Sequence, residues 1–190
     1  MDNKLLPWRV KGSRHIHRDR WISVRADDCV TANGIDVSPF YVLEYPDVVL
    51  VLAITTGNQV VLVRQYRHGL GAVTTELPGG IIDASDPDPI AAAARELVEE
   101  TGYVSDDLRV VGRLSAGAAS RTNLFHVVLA LNVKPEAAPK PDPTEAIDVE
   151  LVDCAKAVRM GQAGELIQAH DVAALLLGLS AAGKLNLAMI

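Results

Sequence analysis

Through its first half the chain repeats one pattern: an apolar, β-branched run, a turn-forming pair, and another such run. In "WISVRADDCVTANGIDVSPFYVLEY" Asn33-Gly34 stands between two strand-like runs, a tight-hairpin signal, and "VVLVLAITTGNQVVLVRQY" repeats the form with Gly57-Asn58 as its turn. The rhythm changes at Asp88. Its carboxylate can accept from free backbone amides, Pro89 suits a first helical position and Gly102 a left-handed stop, so a helix is expected from about Pro89 to Thr101. Ile90, Ala94, Leu97 and Thr101 form its candidate core stripe. Beyond it come a loop from about Ser115 to Arg121, a strand in "TNLFHVVLALNV", the proline-rich "KPEAAPKPDP" and a strand in "AIDVELVD". Helical patterns follow from about 154 to 160 and from about 165 to 179. Strands, a helix, more strands and closing helices suit an α+β chain built as an α/β/α sandwich around a mixed sheet. No internal repeat or linker is visible.

The helix carries an anomaly. Glu96, Glu99 and Glu100 crowd its C-terminal end, where the negative pole of the helix and their mutual repulsion both oppose them. Arg95 lies one turn before Glu99, but one guanidinium does not neutralise three carboxylates. A hard divalent cation offsets such a cluster, since Mg²⁺ takes a few carboxylate oxygens together with substrate phosphates and water.

"RELVEETGY", Arg95 to Tyr103, resembles the second half of the Nudix box, with Tyr103 in place of the final aliphatic residue. From Gly80 to Arg95 there is one residue more than the family pattern, an insertion expected to enlarge the loop "DASDPDP"; Asp86 or Asp88 stands near the first glutamate of the box and is assigned no role. Upstream, "VVLVRQYRHGLGAVTTELPGG" resembles the lead-in of the branch that cleaves ADP-ribose and nucleoside diphosphate sugars. Two motifs in the expected order are more specific than either alone.

The resemblance implies a Nudix fold with a mixed β-sheet, preceded by an N-terminal antiparallel β arm. Residues 1–45 are the expected arm and dimerisation element, and 46–190 the hydrolase domain; folding of the arm back onto its own subunit is the other option. It further implies a Mg²⁺-dependent pyrophosphatase, with Mn²⁺ as a substitute. Glu96 and Glu100 are the leading ligands, Glu99 joins or bridges them, and the Gly79 carbonyl approaches through the Pro-Gly-Gly turn. Gly80, Arg95 and Gly102 are structural members of the motif, Arg95 orienting a glutamate. The general base is Glu145, on the loop before the last strand where it can close on bound substrate, or Glu99. Arg64 and Arg67 either clamp a phosphate or ribose or form surface ion pairs, and Glu76 reaches the metal shell or does not. Trp21 or Tyr66 stacks on a base or belongs to the core. The resemblance places ADP-ribose first among substrates, but "GRLSAGAASRTN" lacks the proline and the acidic residue usual in ADP-ribose enzymes, which weakens that assignment and brings nucleotide sugars close behind. A non-catalytic nucleotide-binding sensor on the same fold is the alternative.

Composition narrows the setting. A chain of 190 residues with 49% hydrophobic content supports one domain with a proper core and an appended arm. The net charge of −6 argues against a nucleic-acid backbone as partner. Cys29 and Cys154 match no metal spacing, and none of the five histidines shows one tied to a second motif; a reducing cytoplasmic setting is expected. "MDNKLLPWRVKGSRHIHRDRW" is too charged for a signal peptide. "VAALLLGLSAAG" is too short for a membrane span and reads as a buried helix.

Overall fold

A computed structural model describes residues 6–185, which fall into two compact units. The first comprises residues up to Pro46 together with Ser115–Leu124. It holds a three-stranded antiparallel sheet of β1 (Arg9–Arg18), β2 (Ser23–Val30) and β3 (Asp36–Glu44), in the order β1-β2-β3. β2 buries Ala26, Asp27 and Cys29, whereas β1 is exposed along its whole length. The buried Asp27 carboxylate is held by the Arg25 guanidinium at 2.8 Å, which keeps its pKa below the usual range. The later segment is fastened to β3 by main-chain bonds: the Leu43 amide donates to the Ser120 carbonyl at 2.7 Å, and the Thr122 amide to the Leu43 carbonyl at 3.2 Å.

The hairpin expected around Asn33-Gly34 forms, but its turn is not tight. The Thr31 amide donates to the Ile35 carbonyl at 2.9 Å around a five-residue loop, and only Gly34 is left-handed, at φ 80°. The Thr31 hydroxyl accepts from the Ile35 amide, a side-chain bond that favours the wider loop.

The second unit comprises Asp47–Leu114 and the chain from Phe125 onward. Its strands are β4 (Val48–Thr55), β5 (Gln59–Arg67), β6 (Ala72–Glu76), β7 (Gly79–Ile81), β8 (Tyr103–Val104), β9 (Asp107–Ser115), β10 (Leu124–Pro135) and β11 (Ile147–Asp153). Its helices are α1 (Pro89–Thr101), α2 (Cys154–Ala163) and α3 (Ala169–Ala181). The sheet runs β11-β5-β4-β10-β8, with β6 on β5, β7 on β4 and β9 on β10. It is mixed, because β4 and β10 pair in parallel while β5 pairs antiparallel with β4, β6 and β11.

Strand alternation sorts the core into two layers. Leu50, Leu52 and Ile54 of β4 join Leu62, Val127 and Leu129 against Ala157, Met160, Ala174, Leu175 and Leu179 of α2 and α3. Val49, Val51 and Ala53 join Val61, Val128 and Ala130 against Ala92, Ala93 and Leu97 of α1. This is the expected α/β/α sandwich. A side chain at Gly178 would collide with Leu52, so the absence of a Cβ there sets how closely α3 meets the sheet.

α1 begins and ends as its capping residues dictate. The Asp88 carboxylate accepts from the Ile90 and Ala91 amides, both at 2.9 Å, and Gly102 closes the helix at φ 73°. Its buried face, however, is Ala92, Ala93, Leu97, Glu100 and Thr101; Ile90 is exposed and Ala94 only half-buried. The expected stripe was turned too far from the sheet because it excluded a glutamate from the interior. Five short or edge strands, β1 and β6 to β9, had no counterpart in the apolar runs, and β7 occupies what reads as the Pro-Gly-Gly loop. Among the described residues no helix is long and apolar enough to cross a membrane.

Candidate active site

β7 brings the chain past α1 so closely that side chains are excluded. Gly79 pairs with Leu50 and Gly80 with Val49. A Cβ on Gly79 would collide with the Val49 carbonyl, and one on Gly80 with the Glu96 carboxylate. Gly80 therefore lets the Glu96 carboxylate lie directly on the backbone of β7, while Gly79 lets β7 close on the backbone of β4. The Gly79 amide donates to Glu100 Oε2 at 3.0 Å. The main chain at Gly79 thus meets the helix through its N–H.

The three helix glutamates differ sharply in solvation. Glu100 is 4% exposed, and the Glu96 and Glu99 side chains are 13% and 46% exposed. Burial pushes the Glu100 carboxyl up to about 8; the Gly79 bond opposes this, and the charges of Glu96 and Glu145 add to it. Burial likewise raises Glu96, with Arg95 pulling the other way. Glu145, on the loop before β11, is close enough that its charge acts on Glu96, Glu100 and Arg67. The structure thus gathers Gly79, Gly80, Glu96, Glu99, Glu100 and Glu145 around one end of α1.

Arg95 is the hub of the motif. Its guanidinium donates to Asp86 through Nε at 3.2 Å and Nη2 at 2.9 Å, to the Ile81 carbonyl at 3.0 Å, to Glu96 at 2.9 Å and to Glu99 at 3.1 Å. It thereby orients two glutamates and ties β7 and the enlarged loop to the helix. Asp86, assigned no role from the sequence, is its principal partner, and that bond holds the carboxyl below the usual range. The two candidate acids divide the work: Asp88 caps the helix and Asp86 binds Arg95. The signal was present, because Asp86 follows Gly80 by the five intervening residues of the box pattern.

A second cluster adjoins through β5 and β6. The Arg67 guanidinium grips Glu76 through Nε at 3.0 Å and Nη2 at 2.6 Å, and the Thr74 hydroxyl also donates to Glu76. Glu76 is 2% exposed, so this is a buried, charge-assisted fork. Arg64 is exposed and, three residues away along a strand, points to the opposite face from Arg67; the two do not close on one ligand from the same side. Tyr66 is exposed beside His68, and Trp21 belongs to the first unit.

Sequence reasoning passed over Asp171. It is buried in the first turn of α3, accepts from Gln168 Nε2 at 3.2 Å and, weakly, from the Leu77 amide at 3.4 Å, and burial pushes its carboxyl up to about 7. Its neighbour His170 stacks on Phe125 at 4.2 Å, and burial lowers its pKa. A lone acid in a strongly apolar helix was the available signal.

Among the described residues no three His, Cys, Asp or Glu side chains converge closely enough to form a complete metal cage. Mg²⁺ needs no such cage, since it binds through one or two carboxylates and fills its other positions with substrate oxygens and water. Buried Glu100 and half-buried Glu96, which among the described residues accept from one amide and one shared guanidinium, fit that requirement.

Residues 44–171 match the NUDIX domain, and residues 8–43 match the nucleoside diphosphate sugar hydrolase N-terminal domain. A methanol dehydrogenase activator of Bacillus methanolicus is 30% identical over 77% of this chain and 78% of its own. An ADP-ribose pyrophosphatase of Bacillus subtilis is 27% identical over 90% and 92% of the two chains, and one of Mycobacterium tuberculosis is 27% identical over 86% and 79%. The fold is shared with a crystal structure of an ADP compounds hydrolase at a TM-score of 0.83 and 23% identity, covering 95% of this chain and 98% of that one. With a glutamate-bearing helix laid on a Gly-Gly strand, and a family match across most of its length, the chain belongs to the Nudix family and is a hydrolase of phosphoanhydride bonds.

Proposed function

We propose that this hydrolase cleaves the pyrophosphate linkage of a nucleoside diphosphate joined to another group, with Mg²⁺ as cofactor and ADP-ribose first among its substrates. The observation that carries the reading is Glu100, a carboxylate kept almost wholly from water beside Glu96 and Glu145 with one backbone amide as its hydrogen-bond donor. A bound Mg²⁺ would neutralise the phosphoryl oxygens and the leaving phosphate. Glu96 and Glu100 would hold it, the Gly79 main chain fixes the position of Glu100, and Arg95 keeps Glu96 and Glu99 from turning away. Glu145, or Glu99, takes the proton of the attacking water. Arg67 neutralises the buried Glu76 and holds β5 to β6 at the edge of the site.

ADP-ribose is preferred over nucleotide sugars because the ADP-ribose pyrophosphatases of B. subtilis and M. tuberculosis align over most of both chains. A GDP-mannose pyrophosphatase and an ADP-sugar pyrophosphatase align over shorter stretches. The fully exposed β1, whose outer edge has no partner strand among the described residues and which carries Val10 and Ile16, supports a homodimer built through residues 1–45, which sedimentation at micromolar concentration would check. The free thiols of Cys29 and Cys154 suit a reducing cytoplasm.

The test is chromatographic product analysis after incubating the protein and its Glu100→Gln variant with Mg²⁺ and a panel of ADP-ribose, nucleotide sugars, dinucleoside polyphosphates and nucleoside triphosphates. AMP and ribose 5-phosphate from ADP-ribose, lost in the variant, are the expected result. Cleavage of a nucleotide sugar alone would move the substrate. No cleavage of any compound would leave a nucleotide-binding sensor as the better reading.

A further inference from the structure

The loop that carries Glu145 is docked, and its docking is built from main-chain bonds. Between β10 and β11 the chain reads "EAAPKPDPTEA". The Glu136 and Ala137 amides donate to the Gly102 carbonyl at 3.0 and 3.2 Å, where the helix stops. A side chain at Gly102 would collide with the Ala137 carbonyl, so the approach is as close as that of β7 to Glu96. The Lys140 amide then donates to the Glu99 carbonyl at 2.7 Å. Pro139 and Pro141 flank Lys140, so in this triplet residue 140 alone has an N–H, and that N–H satisfies one of the carbonyls that a helix end leaves without an internal partner.

Downstream there is little slack. Asp142 to Glu145 form a turn in which the Glu145 amide donates to the Asp142 carbonyl at 2.8 Å, and Ile147 is already in register with Gln65. Glu145 is thus bracketed by the Lys140 anchor on one side and by β11 on the other. The prolines fix φ on both sides of the anchor and lower the entropy cost of holding it.

We infer that the Lys140 main-chain amide is a latch that positions Glu145 over the carboxylates of α1 before substrate arrives. This rests on the hydrolase reading above. Lys140 is a positioning residue acting through its backbone; its ammonium group has no part in the role. Loss of the latch frees the segment between Ala137 and Ile147 and lets Glu145 drift from the site, without touching Glu96, Glu100 or Arg95.

The test compares the full chain with Lys140→Ala, Lys140→Pro, Glu145→Gln and the Lys140→Pro/Glu145→Gln double variant, on the substrate cleaved in the panel at saturating Mg²⁺. Lys140→Ala keeps the amide and should stay within about twofold of the parent in kcat and KM. Lys140→Pro removes the donor in a triplet already shaped by proline, and kcat should fall about tenfold while KM moves less than about twofold. The double variant should be no slower than Glu145→Gln alone, because the latch acts through that carboxylate. A Lys140→Pro rate equal to the parent, or a double variant slowed by the product of the two single effects, would overturn the latch while leaving the hydrolase intact. A parent that cleaves nothing in the panel would instead overturn the hydrolase reading, and the positioning role with it. Amide hydrogen exchange of the parent is independent of turnover. The Lys140 N–H should exchange slowly for a loop residue, and exchange at the rate of an open chain would also overturn the latch.

Discussion

Replacing Glu100 by Gln should make the metal-free protein more stable at alkaline pH, in the same variant that loses turnover. The glutamine amide oxygen can still accept the Gly79 N–H, so the geometry of β7 is kept and only the titratable charge is removed. The folded state holds the carboxyl at about 8 against an ordinary value of 4.5. Below 4.5 folded and unfolded chains both carry the proton, so this group makes no pH-dependent difference there. Between 4.5 and about 8 the unfolded chain has released the proton and the folded chain has not, so stability falls as pH rises, and the loss is complete above about 8. At about 1.4 kcal/mol per pKa unit, that displacement sets a ceiling of about 5 kcal/mol. Relaxation and water entry around a newly charged carboxylate reduce the expected difference to about 1–3 kcal/mol. Urea unfolding of both proteins in chelator at pH 5 and pH 9 measures it. The variant should gain on the parent by that amount between the two pH values. A gap independent of pH would mean that Glu100 ionises as it does in water, and the description of a dry carboxylate beside Gly79 would be refuted.

Three further replacements probe the same region. Gly80→Ala drives a Cβ into the Glu96 carboxylate, which can swing aside at a stability cost of under about 1 kcal/mol, while turnover falls at least about tenfold; an active variant would show that Glu96 does not need its place on β7. Arg95→Lys gives up the two-pronged bond to Asp86 and the Ile81 contact, and should cost about 1–3 kcal/mol in urea unfolding; a loss within error would deny Arg95 its role as hub. Gly102→Ala meets both a φ of 73° and the Ala137 carbonyl, so a loss of about 2 kcal/mol or more is expected by the same measurement, and an unchanged midpoint would mean that the β10–β11 loop does not pack there.

The sequence makes some of this legible and hides the rest for identifiable reasons. The bounds of α1 are local chemistry, written in Asp88, Pro89 and Gly102, and they need no tertiary knowledge. The alternating β4 and the long β10 announce themselves as apolar runs because both faces of the sheet are covered by helices. The orientation of α1 was not legible in the same way. A hydrophobic criterion turns Ile90 and Ala94 inward, whereas the fold buries Glu100, and what permits it is the amide of Gly79 on a strand distant in sequence. Asp171 escaped for a similar reason: besides the nearby Gln168 it meets the Leu77 amide and the charge of Glu76, nearly a hundred residues upstream. β6 to β9 are short or half-exposed, and short strands are defined by the partner they pair with more than by their own residues.

The parallel pairing of β4 with β10 also sets how this chain must come together in time. Val48 finds Phe125 and Ile54 finds Leu131 only after β5, β6, β7, α1, β8 and β9 have been traversed. Until then β4, an eight-residue stretch of almost unbroken valine, leucine and isoleucine, lacks the strand that covers one of its edges. Contacts of such long sequence separation close slowly, and an apolar strand left waiting is the segment most exposed to pairing with other chains. The kinetic weak point of the molecule is therefore the centre of its sheet, and refolding yield should depend on protein concentration more steeply than the buried, well-packed native core would suggest.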